Sequence, residues 1–131
     1  MFVINARSKE PIYAQLVSQL RHFIAVDVVN AGDALPSVRQ LSVTLGINPN
    51  TVQKAYKQME MEGLIHGVSG MGYFITEDVA SLRKKQQEDC LQAIATQLEN
   101  AKNSGISKDA IFAILETIYD IKSNDKEEGQ C

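Results

Sequence analysis

Apolar residues recur at helical spacing in five stretches of the chain, and two short runs between them alternate differently. Ile12, Leu16, Leu20, Phe23 and Ile24 lie three or four positions apart, which predicts a first helix from the Pro11 region to about Val28. Pro11 suits a helix's first turn, where its missing N–H is harmless. Asn30-Ala31-Gly32-Asp33 then reads as a turn. Leu41 and Leu45 give a second, shorter helix its inner face. Ser37 can cap that helix, and Gln40 three residues later completes a capping box. Gly46 ends it, because glycine tolerates the left-handed backbone of a helix exit.

The third helix begins where several local signals agree. Asn48 can cap it, Pro49 fits its first position, and Ile47 and Val52 occupy the two positions of a hydrophobic staple. Val52, Ala55, Tyr56 and Met59 form its apolar stripe, and Gly63 stops it. Two β-runs follow, Leu64-Ile65-His66 and Gly72-Tyr73-Phe74-Ile75-Thr76, with a glycine-rich turn over 67–71. Helical spacing returns near Val79. Segment 81–89 is almost wholly polar and reads as an exposed helical connector. Leu91, Ile94, Ala95, Leu98 and Ala101 then form one stripe. Asn103-Ser104-Gly105 breaks the helix, Ser107 caps the next, and Ile111, Ile114, Leu115, Ile118 and Ile121 form a second stripe. The tail from Ser123 is charged and is expected to be disordered.

The expected fold is therefore mainly α with one small β-hairpin. A winged helix-turn-helix spans 9–77, with the helix-turn-helix at 37–62 and the wing at 64–76. A two-helix dimerisation region fills 78–122, and a tail closes the chain at 123–131. The dimerisation residues expected are Leu91, Ile94, Leu98, Ile111, Ile114, Leu115 and Ile118. Two helices of this size make a thin core, so burial against a second copy is favoured over folding back on the winged domain.

Charge sharpens where a nucleic acid could bind. The net charge of −3 argues weakly against such a partner, but it is unevenly placed. Residues 1–76 carry six basic and five acidic side chains, whereas 77–131 carry seven basic and eleven acidic. DNA contacts are thus expected before residue 77. On the third helix Asn50, Thr51, Gln53, Lys54 and Lys57 lie off the apolar stripe. Amides pair well with adenine, and lysine reaches guanine or phosphate. The helix N-terminus adds free N–H groups facing a phosphate backbone. Arg39 in the preceding helix can neutralise a phosphate or reach a base. The bland alternative is an ordinary solvated face on a small helical domain, or a winged-helix module that meets protein rather than DNA. Asn50, Gln53 and Lys54 argue against the protein partner, being better suited to base edges than to a protein hot spot, which favours aromatics and arginine.

Other chemistry finds little footing. There are no paired catalytic carboxylates, no nucleophile–base set and no phosphate-cradling glycine loop followed by Lys-Ser/Thr, so no enzyme is expected. His22 and His66 are the only histidines and stand far from any cluster of ligands, so neither a metal nor a cofactor is expected. Cys90 and Cys131 lack a CxxC partner, which fits a reducing cytoplasm, although a cross-chain disulfide stays open. No run of 18 apolar residues suggests a membrane span, and Met-Phe-Val-Ile-Asn-Ala-Arg does not read as a secretory signal.

The segments Pro11-Ile12-Tyr13, Leu35-Pro36-Ser37-Val38-Arg39-Gln40-Leu41, Gly46-Ile47-Asn48-Pro49-Asn50-Thr51-Val52-Gln53-Lys54-Ala55-Tyr56 and Glu62-Gly63-Leu64-Ile65 closely resemble the GntR family of bacterial transcription regulators. Asn-Pro-Asn-Thr-Val and the short C-terminal extension look like its YtrA subfamily. The resemblance covers 9–77 by specific motifs and 78–122 only by length and helical pattern. It implies a homodimer, most often a repressor, on a pseudo-palindromic double-stranded operator. It places DNA contacts on Ser37, Arg39, Asn48, Asn50, Thr51, Gln53 and Lys54, and on the wing's Gly70-Met71-Gly72. One departure stands out. Wings of this family usually carry arginine before the Gly-x-Gly, whereas 66–72 holds no Lys or Arg. Segment 78–122 is also too short to enclose a sizeable ligand pocket, which argues against a small-molecule effector and leaves only a pocket between protomers open.

Overall fold

The computed structural model describes the backbone of residues 1–130 and the side chains of 1–120. Five helices and one hairpin follow in the order α1 (Ile12–Ala25), α2 (Val38–Leu45), α3 (Pro49–Met61), β1 (Ile65–Val68), β2 (Gly72–Ile75), α4 (Val79–Asn103) and α5 (Lys108–Gln130). They form two compact units, Met1–Gln87 and Glu88–Cys131.

In the first unit, Leu16, Leu20 and Ile24 of α1 meet Leu41 of α2 and Val52, Ala55, Tyr56 and Met59 of α3. Most of these side chains are fully buried. Each large one contributes about 1.5–3 kcal/mol relative to exposure. Leu64, Ile65 and Ile75 close the core from the hairpin. β1 and β2 pair antiparallel, with Ile65 opposite Ile75 and Val68 opposite Gly72. β1 thus runs two residues further than its sequence suggests, and only 69–71 remain as the turn. Met71 N–H donating to the Val68 carbonyl at 2.9 Å closes that turn. The segment before α2 also joins the sheet edge. Ala34 bridges to Phe74, Leu35 N–H donates to Tyr73 O at 2.9 Å, and Ile75 N–H donates to Asp33 O at 2.8 Å.

Both ends of this unit reach beyond 9–77. Phe2 is buried, with its ring 5.7 Å from that of Phe23. Buried Gln15 ties the N-terminal segment down. It accepts from Asn5 N–H at 2.9 Å and donates to Asn5 O at 3.0 Å and Glu10 O at 2.9 Å. At the other end Val79 is buried and Leu82 packs against the core.

α1 ends at Ala25, three residues before the expected stop. Asp27 adopts φ +62°, and Val28 N–H turns back to Phe23 O at 2.8 Å, the bond that terminates a helix through a left-handed residue. Arg83 seals this end by donating through Nε to Ile24 O at 3.0 Å and through Nη2 to Asp27 Oδ1 at 3.1 Å. Gln86 adds a 3.3 Å bond to Arg21 O. The start of the polar 81–89 segment is therefore docked on α1 and is not a free connector.

In the second unit α4 stops at Asn103, with Gly105 at φ +83° and Ile106 N–H donating to Ala101 O at 3.0 Å. Ser107 Oγ accepts from Ala110 N–H at 3.1 Å and so caps α5. The bounds of α5 take in 123–130, a stretch expected to belong to a disordered tail. Side chains from 121 onward, including Ile121, and Cys131 altogether lie outside the described residues.

Candidate nucleic-acid interface

The helix pair is set by local bonds that the sequence spells out. Ser37 Oγ accepts from Gln40 N–H at 3.1 Å while Gln40 Oε1 accepts from Ser37 N–H at 2.9 Å, so the capping box is complete. Gly46 takes φ +66° and turns the chain out of α2. Asn48 Oδ1 accepts from Asn50 N–H at 2.8 Å, with Pro49 at the first helical position. A substitution of either cap by alanine costs about 1 kcal/mol.

The core side of α3 fixes its orientation. Tyr56 is fully buried, donates its hydroxyl to Pro36 O at 2.7 Å and meets the Tyr73 ring edge-on at 5.0 Å between centroids. One side chain thus links α3 to the entry of α2 and to the wing. Burial, and then the nearby Tyr73, raise the Tyr56 pKa well above its ordinary value, so it stays a donor. A second clamp joins α1 to α3. Arg21 Nε and Nη2 donate to the two carboxylate oxygens of Glu62 at 2.7 and 2.8 Å, and Gln58 adds a bond at 2.9 Å. The bond from Arg21 holds the Glu62 pKa below its usual value; partial burial opposes this and Gln58 assists it.

With that side anchored, Asn50, Gln53, Lys54 and Lys57 share the opposite, exposed face of α3. Thr51 is half-buried beside them. Ser37 and Arg39 are exposed at the start of α2, and Ser42 Oγ donates to the Arg39 carbonyl at 2.9 Å. Asn48 is exposed but spends its carbonyl oxygen on the cap. Gly70, Met71 and Gly72 form the wing tip, with Met71 73% exposed between glycines at φ +78° and +108°. The structure brings the α3 residues onto one face and places the other two groups on separate elements. Among the described residues no side-chain hydrogen bond or ion pair links the three.

Tyr13 is a participant that periodicity did not single out. The Lys54 ammonium stands 4.1 Å from the centroid of its ring. An open notch of about 400 Å³ lies here, lined by Pro11, Ile12, Tyr13, Asn50, Thr51 and Lys54. Helical periodicity marks Tyr13 only as flanking an apolar stripe, and a ring–ammonium contact across 41 positions has no sequence signal.

In the second unit Leu91, Ile94, Leu98, Ile114, Leu115 and Ile118 are 44–66% exposed, and Ile111 is half-buried. His22, His66 and Cys90 are exposed. Among the described residues no group of three potential ligands could hold a metal, and no helix is long and apolar enough to cross a membrane.

A pair of capped helices joined through a left-handed glycine, with a hairpin wing pinned to the second, defines a winged helix-turn-helix DNA-binding regulator. Residues 12–75 match the family described as bacterial regulatory proteins, gntR family. The chain is 33% identical to the HTH-type transcriptional repressor YtrA of Bacillus subtilis over 98% of its own length and 100% of that protein's. The chain belongs to the GntR family, whose members are transcription regulators rather than enzymes. A transcriptional regulator from Oenococcus oeni superposes with a TM-score of 0.71 at 35% identity, covering 91% of this chain and 99% of the other. YtrA from Sulfolobus acidocaldarius, a GntR-family transcription factor, gives 0.56 at 36% identity over 72% and 97%.

Proposed function

We propose that the chain acts as a homodimeric cytoplasmic repressor that reads a pseudo-palindromic operator through α3. The observation that carries this reading is the exposed face of Asn50, Gln53, Lys54 and Lys57 on a helix whose opposite face is locked into the core. These groups suit base edges and phosphates in a major groove. Ser37, Arg39 and Thr51 add backbone contacts, and Asn48 serves the interface by capping α3. The repressor name of the Bacillus subtilis relative supports the sign of regulation.

The half-exposed apolar stripes of α4 and α5 support the dimer. A monomer would leave Leu91, Ile94, Leu98, Ile114, Leu115 and Ile118 in contact with water. A two-fold pair would bury them and would match operator symmetry. The wing contributes less than basic wings do, because Met71 occupies its tip and no Lys or Arg flanks it.

The test uses the intergenic DNA upstream of the gene. An inverted repeat there should be retarded in a gel shift by wild type and released by the Arg39→Ala, Lys54→Ala double variant. Sedimentation should give twice the chain mass, and a Leu98→Glu, Leu115→Glu variant should sediment as a monomer. Absence of any sequence-specific complex at low salt would refute the DNA reading. A wild-type monomer would refute the dimer.

A further inference from the structure

Lysine 54 projects from α3 on a long, flexible stem, and holding such a side chain still costs conformational entropy. The structure supplies a holder that is not a carboxylate. The Tyr13 ring lies 4.1 Å from the Lys54 ammonium, and no ion pair involving Lys54 exists among the described residues. Tyr13 is itself steadied, half-buried against the core from the first turn of α1. The choice of partner matters chemically. A carboxylate would orient the ammonium and also cancel its charge towards DNA. An aromatic face attracts a cation through its quadrupole and carries no net charge, so the positive charge stays available.

We propose that Tyr13 is a positioning residue of the DNA-reading surface, holding the Lys54 ammonium in place without neutralising it. The proposal rests on the reading that α3 meets DNA. Loss of the ring then forces Lys54 to be ordered at the moment of binding. That costs affinity while leaving the number of charges unchanged.

The test takes the full chain and a duplex selected by wild type from a random-sequence library. Binding is measured by fluorescence anisotropy across a salt series for wild type, Tyr13→Phe, Tyr13→Leu, Lys54→Ala and the Tyr13→Leu, Lys54→Ala double variant. Tyr13→Phe should stay within about twofold of wild type, since the ring remains. Tyr13→Leu should bind about three- to tenfold more weakly, the cost of ordering one long side chain, with an unchanged salt slope. Lys54→Ala should lower the slope by about one unit. The double variant should match Lys54→Ala within about twofold, because Tyr13 acts only through Lys54. Wild-type affinity in Tyr13→Leu, multiplied losses in the double variant, or a Tyr13→Phe as weak as Tyr13→Leu would each overturn the proposal.

Proton NMR of the DNA-free protein supplies a readout independent of whether Tyr13→Leu folds. The Lys54 methylene next to nitrogen should resonate upfield in wild type and Tyr13→Phe, and its ordinary shift there would refute the contact. If that upfield shift is present but Lys54→Ala binds as wild type does, the proposal fails while the ring contact stands; failure to select any duplex at low salt would instead refute the reading that α3 meets DNA.

Discussion

Replacing Arg83 by methionine tests how the start of α4 is joined to the winged unit. Methionine keeps most of the aliphatic stem and removes both polar contacts. The ion pair with Asp27 is worth little, because Asp27 is 73% and Arg83 27% exposed. Pairs in such surroundings contribute about 0.2–1 kcal/mol. The bond from Nε to the Ile24 carbonyl is part-buried and supplements the 3.3 Å bond that this carbonyl accepts from Asp27 N–H at the end of α1. A charged donor makes it worth about 1–1.5 kcal/mol after allowance for solvent. Arg83→Met should therefore destabilise the first unit by about 1–2 kcal/mol, most of it from the carbonyl bond.

Asp27→Asn separates the two contributions. Asparagine tolerates the left-handed backbone that residue 27 adopts, so only the charge is lost. Its cost should stay below about 1 kcal/mol. Thermal unfolding reads the totals, and a loss of 1 kcal/mol in a unit of this size lowers the midpoint by about 4–8 °C. Amide hydrogen exchange locates the effect. Val26, Asp27 and Val28 should lose protection in Arg83→Met and keep most of it in Asp27→Asn. The reasoning is refuted if Arg83→Met melts and exchanges like wild type, or if Asp27→Asn costs as much as Arg83→Met.

Three further outcomes are expected. Gly46→Ala should cost about 1–2 kcal/mol in urea unfolding, since a Cβ there meets nothing within 4 Å and only the positive φ resists it; Gly46→Asn should cost less. The Arg21–Glu62 clamp should weaken in acid. Because the folded Glu62 pKa is lowered, its stabilisation is present at neutral pH and above the ordinary carboxylate range, and is lost as pH falls through that range and below it. Glu62→Gln should flatten that part of the stability–pH curve by under about 1 kcal/mol, and an unaltered curve would show that the clamp contributes nothing. Finally, Met71→Arg should tighten operator binding and steepen its salt dependence by about one unit if the wing reaches the minor groove; equal affinity and slope would show that it does not.

The parts of this molecule that were legible in its sequence are those whose partners are close along the chain. The Ser37–Gln40 capping box, the Gly46 exit and the Asn48-Pro49 start each need only a few residues, and each is found as its letters imply. The buried stripe of α3 follows from helical spacing alone, and with it the exposed face opposite. What stayed hidden depends on distant partners. Nothing local told that Ala34 would bridge to Phe74, that Gln15 would accept from Asn5, or that Arg83 would reach back 59 positions to the Ile24 carbonyl. Segment 81–89 reads as a solvated connector because its residues are polar, yet Arg83 and Gln86 near its start find backbone carbonyls of α1 to bond.

That distinction bears on how the protein would work as a dimer. If the first turns of α4 swung freely, the spacing of two reading helices would be set only when DNA arrived, and the ordering cost would fall on binding. Arg83 and Gln86 instead tie the start of α4 to α1, the same helix that packs on α3, while Val79 and Leu82 pack on the shared core. The first turns of α4 are thereby held on the core that also orients α3. A chain whose wing lacks basic residues has fewer phosphate contacts with which to offset an ordering penalty. In a DNA-bound dimer, holding the first turns of α4 on that core would keep the penalty small.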